Sequence, residues 1–163
     1  MKRAWLSALL LALCCAYSSA QPRIAVLPFR NMDGDLRYNL WCYRFADSIA
    51  ALLERADTSG QSYYIIPRDS LELVLGELNL DPTTPQYDSD IWKAAQLLQA
   101  RYVVTGNFNL LPGKILLNAY LYDVRTKLAR ATAQNLYRPE SQADELAALV
   151  VQQLLPRLQH GTR

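Results

Sequence analysis

Between Arg101 and Tyr137 three consecutive stretches of the chain alternate apolar with polar residues, and only two short turns separate them. In "RYVVTGNFNLL", Val104, Gly106, Phe108 and Leu110 alternate with Val103, Thr105, Asn107 and Asn109. After the turn "PGK", Ile115, Leu117, Ala119 and Leu121 alternate with Leu116, Asn118, Tyr120 and Tyr122, and "RTK" then leads into "LARATAQNLY". Period two sends alternate side chains to opposite faces, and turns this short join antiparallel neighbours. The pattern predicts a three-strand antiparallel meander. If Val104, Phe108, Ile115, Leu117 and Leu121 face a core, the other face carries Thr105, Asn107, Asn109, Asn118, Tyr120, Tyr122, Arg130, Thr132 and Gln134.

A sheet with one apolar face must be covered, and the rest of the chain supplies helices to do it. Leu40, Trp41, Phe45, Ile49, Leu52 and Leu53 recur at steps of three and four, and Leu71, Leu73, Val74, Leu75 and Leu78, then Ile91, Trp92, Ala95, Leu97 and Leu98, and finally Leu146, Leu149, Val150, Leu154 and Leu158 supply the apolar positions of three more segments. Each set predicts an amphipathic helix. Asp69 with Glu72, and Ser141 with Asp144, have the spacing of capping boxes at two of the starts. "RIAVLPF" and "SYYIIP" read as short strands, the first placed at an edge or ended by Pro28. "NLDPTTPQYDSD" is a loop whose last residues open a helix. The order βαβααβββα makes an α/β (α+β) fold: a mixed sheet ending in the antiparallel meander, with helices packed on one main face.

Residues 1–20 read as a secretory signal peptide. Lys2 and Arg3 precede the apolar run "AWLSALLLALCCAY", and small residues at Ser18 and Ala20 mark a cut between Ala20 and Gln21. The run is about fourteen residues long, short of the roughly 20 that span a bilayer. A lipid-modified Cys14 is the rival reading, although Leu13 stands where a small residue is expected. Without the leader the 17 basic residues fall to 15 and match the 15 acidic ones, so no charge excess draws the chain to nucleic acid or an anionic membrane. The roughly 143 remaining residues suffice for one domain, 21–163, with its own core. Cys42 is then the only cysteine and serves as a small apolar residue unless an exposed thiol pairs between chains.

Catalytic and cofactor chemistry is hard to find. The loop in "RIAVLPFRNMDGD" has a single glycine, Gly34, between two carboxylates, whereas phosphate-cradling loops need several glycines and a positive end. The one histidine, His160, lies near the C-terminus, where nothing orients it as a base. Asp33, Asp35, Asp81, Asp88 and Asp90 all fall in loops, and paired acids of that kind can hydrolyse glycans; loop aspartates more commonly cap helices and turns. No metal set, cofactor site or catalytic residue is expected.

The segments "IAVLPFRNMDGD", "RFADSIAALLE", "YYIIPRDSLELVLGELNL" and "AAQLLQARYVVTGNFNLLPGKILLNAYLYDVRTKLARATA" resemble the N-terminal domain of TolB and the related TolB-like, FlgO-like and CsgG-like bacterial envelope proteins. The resemblance implies an α/β domain that works by protein contact in a Gram-negative periplasm, without cofactor or catalysis. Two departures limit it. The sequence does not continue into the β-propeller of TolB, and the turns at Pro112 and Arg125 are too tight for the long hairpins of CsgG-like pores. The expected role is an adaptor or assembly factor for envelope machinery. Its protein partner is unidentified, homo-oligomerisation is open, and membrane association follows only from lipidation. Contact would run through Asn107, Asn109, Asn118, Tyr120, Tyr122 and Arg130, or through the aromatic loop bearing Trp41 and Tyr43, although those two rings also suit folding back onto the core. The alternatives are an outer-membrane lipoprotein, anchored at Cys14, that activates a surface organelle or a peptidoglycan synthase, and a glycan hydrolase using Asp33 and Asp35. Mass spectrometry of the secreted chain is expected to find Gln21 at its N-terminus; a fatty-acylated Cys14 there would replace the soluble reading with the anchored one.

Overall fold

The computed structural model describes residues 21–159. The leader with its Ala20 cleavage boundary, Cys14, and His160 lie outside the described residues. The strands are β1 (Arg23–Val26), β2 (Arg30–Asn31), β3 (Tyr64–Ile65), β4 (Tyr102–Leu111), β5 (Lys114–Asp123) and β6 (Leu128–Pro139), and the helices are α1 (Leu40–Ala56), α2 (Arg68–Glu77), α3 (Tyr87–Leu97) and α4 (Asp144–Gln159). Single 3₁₀ turns at Leu36–Tyr38 and Glu140–Gln142 lead into α1 and α4. One mixed sheet runs β3-β1-β4-β5-β6, parallel through β4 and antiparallel beyond it. The α+β class and the meander agree with the sequence pattern.

Pro28 ends β1, yet β1 is an interior strand between β3 and β4. Val26 pairs with Val104 and Arg30 with Asn107, so four steps on one strand match three on the other. The extra residue is absorbed around Pro28, which has no N–H to offer a ladder. Its carbonyl accepts a hydrogen bond from the Tyr87 hydroxyl at 2.9 Å, and pairing to β4 resumes as β2. No periodicity announces a two-residue strand, so β2 was invisible in the sequence.

The sheet separates two cores. Ile24, Val26, Val104, Phe108, Ile115, Leu117 and Leu121 pack against Cys42, Phe45, Ile49 and Leu53 of α1 and Leu146, Val150, Leu154 and Leu158 of α4. On the opposite side Ala25, Leu27, Ile66 and Val103 meet α2 and α3 through Leu71, Leu75, Tyr87, Ile91 and Ala95. The expected main face is therefore the α1/α4 face, and a second layer of helices covers the parallel half from behind. Strands buried on both sides read as continuous apolar runs, as "IAVL" does.

Apolar burial docks these helices. The Arg44–Asp144 pair joining α1 to α4 has both side chains more than half exposed, which limits it to about 0–1 kcal/mol; one buried leucine is worth about 2–5 kcal/mol by truncation. Cys42 is fully buried, and desolvation pushes its thiol up to about 11, so an exposed thiol for pairing between chains is absent. Neither capping box forms. Asp69 lies inside the first turn of α2, which Pro67 precedes without a side-chain cap, and Glu72 instead takes Arg68 one turn earlier. Ser141 falls in the 3₁₀ turn, with Asp144 pairing to Arg44.

A carboxylate organises the return from α1 to β3. Asp57 accepts hydrogen bonds from Ser59 Oγ at 2.7 Å, from Ser62 N and Oγ at 2.8 and 2.9 Å, and from Tyr63 N at 3.4 Å. Desolvation raises its pKa, and these donors more than reverse that, leaving it at about 2. The unfolded value is near 3.9, so this stabilisation is present above about pH 4 and disappears as pH falls towards 2. Asp57→Asn is expected to cost on the order of 1 kcal/mol at neutral pH and to flatten acid unfolding across that window; unchanged acid melts would remove the role.

Gly106 lies in β4 where a Cβ would stand 1.9 Å from the Asn118 carbonyl oxygen and 2.7 Å from Phe29 Cε1. Gly106→Ala is expected to lower stability by about 1–3 kcal/mol or more in urea unfolding. Gly76→Ala, in helix α2 with nothing within 4 Å, is expected to raise it by up to about 1 kcal/mol. Equal effects at the two glycines would contradict the close approach at β4.

Candidate functional site

Tyr87 positions one wall of the site. It opens α3, is fully buried, and is tied by its hydroxyl to the Pro28 carbonyl; burial raises its phenol well above the usual range. Ile91, one turn on, is buried with it. Asp88 and Trp92 lie one position further round the helix, where they meet the side of the sheet opposite α1 and α4.

The second wall is the polar face of the meander. Thr105 pairs with Tyr120 and Asn107 with Asn118 across β4 and β5, so these four share a face. Trp92 meets Tyr122 edge-on, with ring centroids 5.4 Å apart at 85°, and Tyr122 stacks on Tyr120 at 5.7 Å. The Lys127 ammonium lies 5.9 Å from the Trp92 ring centre. Between the walls lies a groove of about 230 Å³ lined by Asp88, Ile91, Trp92, Thr105, Gly106, Asn107, Tyr120 and Tyr122.

Hydrogen bonds hold the polar side chains in place. Asn118 Nδ2 donates to Asn107 Oδ1 at 3.1 Å, Asn118 Oδ1 accepts from Asn135 N at 2.8 Å, and Gln134 Nε2 donates to the Tyr120 hydroxyl at 3.0 Å. Arg30 of β2 pairs with Asp88 across the rim, and its Nε is buried without a hydrogen-bond partner. Burial, then the neighbouring Tyr120, pushes the Tyr122 phenol up. It stays protonated near neutrality, offering a flat apolar face and an O–H. Such an arrangement suits recognition of a partner group more than proton transfer.

The expected contact residues separate in space. Asn107, Asn118, Tyr120 and Tyr122 gather at the groove, Asn109 continues along β4 half-buried, and Arg130 is exposed where β6 slips register against Leu121 and Tyr122. Trp41 and Tyr43 belong elsewhere, on α1. Trp41 packs on Phe45 at 5.1 Å beneath the Arg44 guanidinium, against the main core. Tyr43 borders a small hollow between α1 and α2 with Pro28 and Leu71. Ile91 and Trp92 escaped the sequence reading as site residues, because their helical spacing looked like packing alone, and Asp88, expected in a loop, lies in the first turn of α3.

The acids expected in loops have structural partners, and two of them, Asp88 and Asp90, lie in the first turn of α3 instead. Asp33 accepts from the Leu110 N–H, Asp35 holds Arg37 through backbone and guanidinium, Asp81 accepts from Thr83 N and Oγ1, and Asp90 pairs with Lys93. Asn31 closes the same loop by donating to Asp35 O and Asn39 Oδ1. Among the described residues no three His, Cys, Asp or Glu side chains are grouped to hold a metal ion, and no helix is long and apolar enough to cross a membrane.

No family model matches the chain, and no curated protein matches it. Solved structures do. Lipoprotein GNA1162 from Neisseria meningitidis superposes with a TM-score of 0.55 at 18% identity, over 72% of this chain and 80% of that one. TolB from Acinetobacter baumannii gives 0.55 at 18% identity, over 87% of this chain and 29% of the longer TolB chain. The LpoB C-terminal domain from Salmonella enterica gives 0.48 at 15% identity, over 77% and 87%. The chain shares the fold of GNA1162 and of a part of TolB.

Proposed function

We propose that this protein is a non-enzymatic interaction domain of the bacterial cell envelope, an adaptor or assembly factor that holds a protein partner in the groove between α3 and the meander. The Trp92–Tyr122–Tyr120 run carries the reading. Tryptophan and tyrosine dominate the energetic centres of protein interfaces, because a rigid ring brings much contact area at little entropic cost. Here the rings are set among amides already fixed by hydrogen bonds, so little ordering remains to be done on binding. The shared fold with TolB, and with a protein described as a lipoprotein, supports the envelope setting, as does the leader-like N-terminus.

A second reading places the same domain on a membrane through a lipidated Cys14. The lipoprotein description of GNA1162 favours it, and the mature N-terminus separates the two. In either case Tyr120→Ala with Tyr122→Ala is expected to leave the fold intact by circular dichroism, and to abolish most of the partner recovered by affinity capture from crosslinked envelopes. Undiminished recovery by the folded double variant would exclude the groove as the contact.

A further inference from the structure

The described end of the sheet opposite the Asp33–Asp35 loop holds a second and larger hollow, about 530 Å³, between the C-terminal turn of α3 and the β5–β6 turn. Its lining includes Gln96, Gln99, Arg101, Arg125 and Lys127 over an apolar floor of Ala100 and Val124. The three cations are exposed. Arg125 and Lys127 share the β5–β6 turn, and Arg101, far from them in sequence, joins them because β4 begins where α3 ends and β5 returns beside it.

The adjoining negative charge is already engaged. Asp123 is 2% exposed; its carboxylate pairs with Arg101 at 3.0 Å and accepts from Arg125 N at 3.0 Å and Thr126 N at 3.1 Å. The C-terminus of α3 contributes a partial negative charge, and Arg23 Nε donates to its Leu98 carbonyl at 3.2 Å. With one of three cations balanced by Asp123, the hollow keeps an excess positive charge and two uncharged amides able to donate hydrogen bonds. Its walls are tight turns: Gln99 and Lys127 both have left-handed backbones, closed by Ala100 N to Ala95 O at 2.9 Å and Lys127 N to Asp123 O at 2.7 Å.

We infer that this basic hollow docks an acidic, extended segment of a partner protein. The hollow is open to solvent, and its volume leaves room for several residues of an extended chain, far more than one phosphate fills. Leu97 and Leu128, 58% and 66% exposed, are the chain neighbours of Gln96 and Lys127 and offer apolar contact beside the charges. The occupant therefore carries carboxylates interspersed with apolar side chains. A lipid surface calls for a cluster of roughly four to eight cations, whereas this hollow has Arg101, Arg125 and Lys127, the first of them paired to Asp123. The hollow shares only Lys127 with the α3–meander groove, where its ammonium faces Trp92, and loss of that groove's role leaves the inference standing.

Fluorescence anisotropy of a labelled Glu/Leu peptide of about ten residues, with a Lys/Leu peptide beside it, tests the assignment on the purified chain. The Glu/Leu peptide is expected to bind, the Lys/Leu peptide not to bind, and affinity to fall on raising salt. Arg125→Glu with Lys127→Glu should weaken binding roughly tenfold or more with the thermal transition unchanged. Should that pair disturb the turn, Arg125→Gln with Lys127→Gln supplies the folded comparison. Equal binding by either folded variant, no peptide binding, or sedimentation with phosphatidylglycerol vesicles in the absence of peptide binding would each overturn it.

Discussion

Strand β4 makes hydrogen bonds along both edges, parallel to β1 and β2 on one side and antiparallel to β5 on the other. Because successive residues point to opposite faces, Val103 enters the α2/α3 core while Val104 enters the α1/α4 core. Both helical layers are thus registered on one strand. Gly106 lies in the same strand where the Phe29 ring and the backbone of β5 come closest. A slip of one residue in β4 would exchange the two cores and put the amides of the meander against α1.

The interruption at Pro28 follows from that arrangement and positions the groove. An interior strand cannot leave a carbonyl unpaired in an apolar layer without a penalty of about 1–3 kcal/mol, and Tyr87 satisfies it from α3. The hydroxyl that repairs the sheet also fixes the start of the helix that carries Trp92. The ring contact between Trp92 and Tyr122 is therefore a consequence of how β1 ends, about sixty residues earlier in sequence.

Charge is distributed by the same topology. Asp33 and Asp35 order the loop after β1 and β2 in company with Arg30 and Arg37, while Arg23, Arg101, Arg125 and Lys127 gather with Asp123 at the other end of the strands. The sequence has 17 basic and 15 acidic residues, and that near balance hides the local excess. Net charge describes solubility and long-range attraction; local complementarity depends on which strand ends are neighbours.

The sequence by itself determined the meander, the four helices, the buried face of the meander strands and the burial of Cys42, since all depend on periodicity and hydrophobicity within short windows. It also placed Asn107, Asn118, Tyr120 and Tyr122 on one surface, because residues two apart on paired strands must share a face. Tertiary structure alone decided that helices cover both sides of the parallel half, that β2 exists, that Trp92 belongs with the tyrosines, and that Trp41 belongs with the core. It also gathered the basic hollow from separate segments. Each of these depends on which elements pack together across long stretches of chain, and such pairing is fixed by strand order and by single contacts such as Tyr87 to Pro28, which leave no period in the sequence.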